Sequence, residues 1–132
     1  MHIHLRIEAS LDILIGDYIS ENFIAFLHGK GIKDYEIPFR GFRWDLQNVL
    51  DELDFAKKVK IATKTKKIDQ KTQGKLFKVN ELRVIFSHPQ AHQIEIQAYN
   101  DKNKYLEALI TLVEGYTAIN AVFKDRQEKL KK

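Results

Sequence analysis

Between Lys57 and Lys78 the chain carries nine lysines and a single acid, Asp69. The stretch has a formal charge of +8, and the rest of the chain, with 13 basic and 17 acidic side chains, has −4. Ammonium groups in such density bind anions. In KKVKIATKTKK, Val59, Ile61, Thr63 and Thr65 alternate with Lys58, Lys60, Lys64 and Lys66, with Ala62 between them, and Lys67 and Lys71 follow. Read as a strand, this sets the lysines about 7 Å apart along one face, because a strand rises ~3.3 Å per residue. That pitch suits a polyanion, and each phosphate neutralised would release counterions and make binding salt-sensitive. Upstream lies PFRGFRW, where Arg40 and Arg43 offer guanidinium groups and Phe42 and Trp44 offer stacking planes. These residues form the expected contact surface for an acidic macromolecule, nucleic acid or protein. Two competing readings use the same residues. Lysine guards exposed strand edges against aggregation, and the aromatic residues are equally suited to a core.

The histidines offer a second chemistry. His2 and His4 would share one face of a strand, and His88 and His92 bracket a turn. Imidazoles so spaced can ligate a divalent metal if the two pairs meet, which makes a metal-dependent enzyme the first alternative. His2-x-His4 with Tyr99-x-x-Lys102 is faintly similar to the metal pair and tyrosine nucleophile of rolling-circle replication endonucleases. The His pair here opens the chain, however, and the tyrosine closes a strand, so no family is assigned. No cofactor is implied.

Other catalytic signals are missing. Asp45, Asp51, Glu52 and Asp54, and likewise Asp12, Asp17 and Glu21, sit on polar helix faces without apolar neighbours that would split their acidities. The chain has no P-loop and no G-x-S-x-G. With no cysteine, thiol catalysis, disulfides and thiolate zinc sites are excluded.

The elements that must position these residues follow from periodicity. Residues 2–8 alternate as a strand. Ser10 caps a helix whose stripe is Leu11, Ile15, Tyr18, Ile19, Phe23, Phe26 and Leu27, and Gly29 and Gly31 stop it. Residues 32–38 suit a short strand with Tyr35 and Ile37. Residues 45–54 suit a helix capped by Asp45, with the stripe Leu46, Val49, Leu50 and Leu53. Residues 57–87 read as a basic β-hairpin with a polar tip at 69–75 around Gly74. His88-Pro89 turns, and residues 92–99 form another strand. Residues 102–130 form a long helix, with Tyr105, Leu109, Leu112, Tyr116, Ile119 and Phe123 stepping by threes and fours. The sum is one α+β domain over 1–132, an antiparallel or mixed sheet with a three-strand meander in the second half, helices packed mainly on one face and a long C-terminal helix.

An apolar fraction of 44% is that of an ordinary globular chain. The start lacks a signal-peptide pattern, and no contiguous apolar run approaches the ~18 residues of a membrane span. A cytoplasmic protein without a membrane partner is therefore expected. The reading favoured by charge is a non-catalytic binding or adaptor module. The second alternative is a structural subunit of a homo-oligomer, self-associating through the C-terminal helix or an edge strand.

Overall fold

Ile3, Ile7, Leu11, Leu14 and Ile15 recur at three- and four-residue intervals, and in the computed structural model they line one face of a continuous helix. The structure describes residues 3–31, 33 and 47–131. Its helices are α1 (Ile3–Gly29), α2 (Phe55–Lys64), α3 (Gln70–Ser87), α4 (Gln93–Ala98) and α5 (Lys102–Leu130), with a further helical turn at 47–51. Among the described residues there is no strand, so the fold is all-helical and the expected α+β meander is wrong.

Each misread segment has a physical reason. Ile3, Leu5 and Ile7 satisfy period two as well as a helix. Extension to Leu11 and Leu14 settles the matter, with Ile7 in the core and Leu5 facing solvent. Ser10 lies mid-helix and caps nothing. In the lysine stretch the inward positions are Phe55, Lys58, Val59 and Ala62. A lysine occupies a core position there, so the apolar stripe looked broken and the alternation of Val59, Ile61, Thr63 and Thr65 took over. Thr63 and Thr65 donate their hydroxyls to the carbonyls of Val59 (2.9 Å) and Ile61 (2.8 Å), which accommodates these β-formers in and at the end of a helix. The supposed return arm is α3, which buries Thr72, Leu76, Val79 and Leu82 at helical spacing, and Gly74 lies within it. Residues 93–98 are the short α4, with Ile94 exposed.

Capping carboxylates fix the starts. Asp54 accepts from the Lys57 amide (2.8 Å), Asp69 from Thr72 (2.7 Å) and Asp101 from Asn103 (2.8 Å). At Asp69 the Thr72 amide holds the carboxyl below its usual range. Pro89 follows the His88 C-cap of α3. Of the helix expected over 45–54, the turn at 47–51 is described and buries Leu50, while Val49 faces solvent. The expected strand at 32–38 and the cap Asp45 lie outside the described residues, Lys33 excepted.

The long helices form a four-helix arrangement in which α1 and α3 each pack on both α2 and α5. Cross-links give the directions. Lys58 meets Glu8 and Asp12 while Lys67 meets Glu21, so α1 runs parallel to α2. Ile7 lies against α5 at Gly115 and Arg126 meets Asp17, so α1 also runs parallel to α5. Arg83 lies over the Phe55 ring, with its guanidinium carbon 6.0 Å from the centroid, and α3 returns antiparallel to α2. The core joins Ile7, Leu11, Leu14, Phe55, Val59, Leu76, Val79, Leu112 and Ile119.

At 29 residues α5 is roughly 43 Å long. By length and composition it is apolar enough to cross a membrane, because only Glu107 and Glu114 carry charge over 106–123, a property that contiguous apolar runs did not reveal. Its inner face packs into the bundle through Leu112, Gly115 and Ile119. At Gly115 α5 and α3 approach closely, since a Cβ there would sit 2.5 Å from a Val79 methyl.

Two stability outcomes follow. Gly115→Val should cost about 2 kcal/mol through overpacking, read as a lower thermal midpoint, and an unchanged midpoint contradicts the close approach. Lys66, in the α2–α3 connection, has φ 63°, a left-handed conformation unfavourable to a side chain by roughly 1 kcal/mol. Lys66→Gly should therefore raise stability by about that amount in denaturant titration.

Candidate interaction surface and charge network

The helical period divides the lysines into two populations. Lys58 points inward and is 2% exposed, with Nζ 2.8 Å from Glu8 Oε1 and 2.9 Å from Asp12 Oδ1. The Glu8 contact is an aligned hydrogen bond, whereas Asp12 Oδ1 is buried without one, so its attraction to Lys58 is ionic. Burial pushes the Lys58 ammonium toward deprotonation. The two carboxylates more than offset that, and the net effect raises its pKa above the ordinary lysine value.

Two further cations do the same for α1 at its other end. Lys67 donates to both oxygens of Glu21 (3.0 and 3.2 Å). Arg126 of α5 grips Asp17 in a two-pronged contact that raises the Arg126 pKa and stacks the guanidinium over Phe123, 5.6 Å from the ring centroid. Around these pairs lies a polar cleft of about 300 Å³, also lined by Lys66, Asp125 and Lys129, of which Asp125 and Lys129 pair at 3.2 Å. Its acids serve as counter-ions to neighbouring cations.

The second population faces out. Lys57, Lys60 and Lys64 fall at i, i+3 and i+7 on the side of α2 opposite its buried stripe, and all are exposed. Lys66 follows in the connection. It is held by a helix-ending motif in which the Lys67 amide donates to Ala62 O (2.9 Å) and the Lys66 amide to Thr63 O (3.0 Å). Lys71, Lys75 and Lys78 run along the flank of α3 that turns toward α5, where Glu81 and Glu107 share a shallow hollow with Lys78. None of these seven lysines has an ion pair among the described residues. The single flat lysine face expected of a β-hairpin is thus replaced by two rows that diverge from the α2–α3 connection.

Of the expected contact residues, Lys60, Lys64, Lys66 and Lys71 remain on the surface, while Lys58 and Lys67 turn inward to α1. Arg40, Phe42, Arg43 and Trp44 lie outside the described residues, as does His2. His4 stands on the first turn of helix α1, where the strand reading would have put a metal-binding face. His88 caps α3, and His92 precedes α4. His92 Nδ1 is 3.5 Å from Glu95, too long for a good hydrogen bond, and the Glu95 carboxyl is held low mainly by its own amide and secondarily by His92. Among the described residues no three His, Cys, Asp or Glu side chains are grouped to hold a metal ion. Tyr99 ends α4 and stacks on Phe86, with ring centroids 5.2 Å apart.

The sequence reading missed the pairing of the acids on α1. Its only signal was their spacing: Glu8, Asp12, Asp17 and Glu21 step by four, five and four along one helix. No family model matches the chain, and comparisons with curated proteins and with solved structures also give no match.

Because the Lys58 pKa is raised in the folded state, its contribution to stability is full below the ordinary lysine value of 10.5 and is lost as pH rises through the folded value. Lys58→Met should abolish that alkaline loss. It should also cost about 3 kcal/mol at neutral pH, the low end for a broken buried pair because water still reaches Glu8. Adding Glu8→Gln and Asp12→Asn should restore part of it. Urea titration from pH 7 to 11.5 checks this, and equal pH dependence in wild type and Lys58→Met contradicts it.

Proposed function

We propose that the protein is a non-catalytic binding module in which the outer row of α2 and the α2–α3 connection contact an acidic macromolecule. The observation that carries this reading is the division of the lysines. Lys58 and Lys67 are consumed in holding α1, whereas Lys57, Lys60, Lys64 and Lys66 stay exposed with no ion pair among the described residues. Lys66 adds weight. It occupies a left-handed position where glycine costs less, so a cation is kept there against backbone preference. The row offers charge without base-reading groups, because no exposed arginine or aromatic side chain lies within α2. Recognition by charge alone suits a phosphate backbone or an acidic protein stretch, and predicts steep salt dependence with little sequence preference.

The test is fluorescence anisotropy with single-stranded DNA, RNA and polyglutamate at two salt concentrations. At least one polyanion should bind at ~50 mM salt and weaken steeply by ~200 mM. Replacing Lys57, Lys60, Lys64 and Lys66 together with glutamine should weaken it by roughly tenfold or more and flatten the salt slope by about three charges. Failure of all three polyanions to bind, or unchanged binding by the quadruple variant, contradicts the reading.

A further inference from the structure

Where α1 begins, α3 and α5 enclose an apolar groove of about 220 Å³. Leu82, Phe86, Tyr105, Ala108, Leu109 and Leu112 form its walls, with His4, Arg83 and Ser87 at the polar margin. No acid lines it. Next to its lining residues on α5, Leu106, Ile110 and Val113 repeat at helical spacing with 44, 56 and 57% exposure.

Arg83 sets the chemistry of the site. Lys58, Lys67 and Arg126 each meet a carboxylate. Arg83 does not among the described residues. Its Nε and Nη2 both donate to Asn80 Oδ1 (3.1 and 3.0 Å), and its guanidinium carbon lies over the Phe55 ring. Asn80 thus orients the guanidinium without neutralising it. An oriented, half-buried cation on the rim of an apolar slot is complementary to one anionic group attached to an apolar body.

We infer that this groove binds a small apolar monocarboxylate, with its carboxylate on Arg83 and its hydrocarbon body between α3 and α5. The volume accommodates about seven groups of water size at roughly 30 Å³ each. A medium-length alkyl or aryl chain fits inside, and a longer chain continues over Leu106 and Ile110. The site is independent of the lysine row on α2, which lies diagonally across the bundle from α5.

The test is titration of ¹⁵N-labelled protein with decanoate, 1-decanol and decyltrimethylammonium below their aggregation concentrations, at ~150 mM salt to suppress general anion binding. Decanoate should bind saturably at one site, shifting the amide signals of Leu82, Phe86, Tyr105 and Leu109. It should bind at least tenfold more tightly than either of the other two. Arg83→Gln should remove that preference while 1-decanol binding stays within twofold, which also reports that the variant remains folded. Equal binding of cation and anion, retention of the decanoate preference by Arg83→Gln, or no saturable decanoate binding overturns the inference. An acidic amphipathic peptide that occupies the groove where decanoate does not would also overturn it, in favour of a macromolecular occupant.

Discussion

Four carboxylates on one helix need cations from elsewhere in the chain, and that requirement organises this fold. Glu8 and Asp12 are one turn apart and repel each other at that spacing. Asp17 and Glu21 repeat the problem higher up. Lys58, Arg126 and Lys67 answer from α2, from α5 and from the α2–α3 connection. Each contact pins a different element to α1 at a fixed height. Apolar packing among Ile7, Leu11, Val59, Val79 and Ile119 supplies the driving force, but apolar side chains tolerate sliding. A point charge beneath two carboxylates does not, so the ion pairs set the register of helices that greasy contacts alone would leave ambiguous.

The same constraint divides one lysine run into two sets. With a helical period, Lys58 falls among Phe55, Val59 and Ala62, while Lys57, Lys60 and Lys64 fall on the opposite side. With a strand period, Lys58, Lys60, Lys64 and Lys66 would have stood together. The outward-facing charge is accordingly smaller than the raw charge of the stretch suggests and is set at another angle. Part of the positive charge is structural, and the remainder lies along α2, at the left-handed Lys66 and along the flank of α3.

What could be read from residues alone followed the strength of the local signal. The stripe of α5 is long, and its range was legible. Gly29 and Gly31 marked the end of α1, and His88-Pro89 marked a turn where α3 ends. The short segments misled because Val, Ile, Thr and Phe favour strands only where a pleated, half-buried surface is available, and here packing against α1 and α5 provided a helical one. Polar residues at core positions hid the helical stripe twice, at Lys58 and at Thr72, and Gly115 hid the close approach of α3 to α5. For the candidate surface, Lys60, Lys64, Lys66 and Lys71 were placed outward by either period. Lys58 and Lys67 were not, because nothing local shows that a lysine will meet a carboxylate some 46 to 50 residues away in sequence.

The division of the lysines into inner and outer sets can be measured residue by residue. Brief acylation of the folded protein at neutral pH, followed by peptide mass spectrometry, reports how fast each ammonium group reacts. The helical arrangement requires Lys58 to react far more slowly than Lys57, Lys60 and Lys64, with Lys67 intermediate, and requires that contrast to vanish in denaturant. Equal labelling of Lys58 and Lys60 in the folded protein is the result that would contradict it.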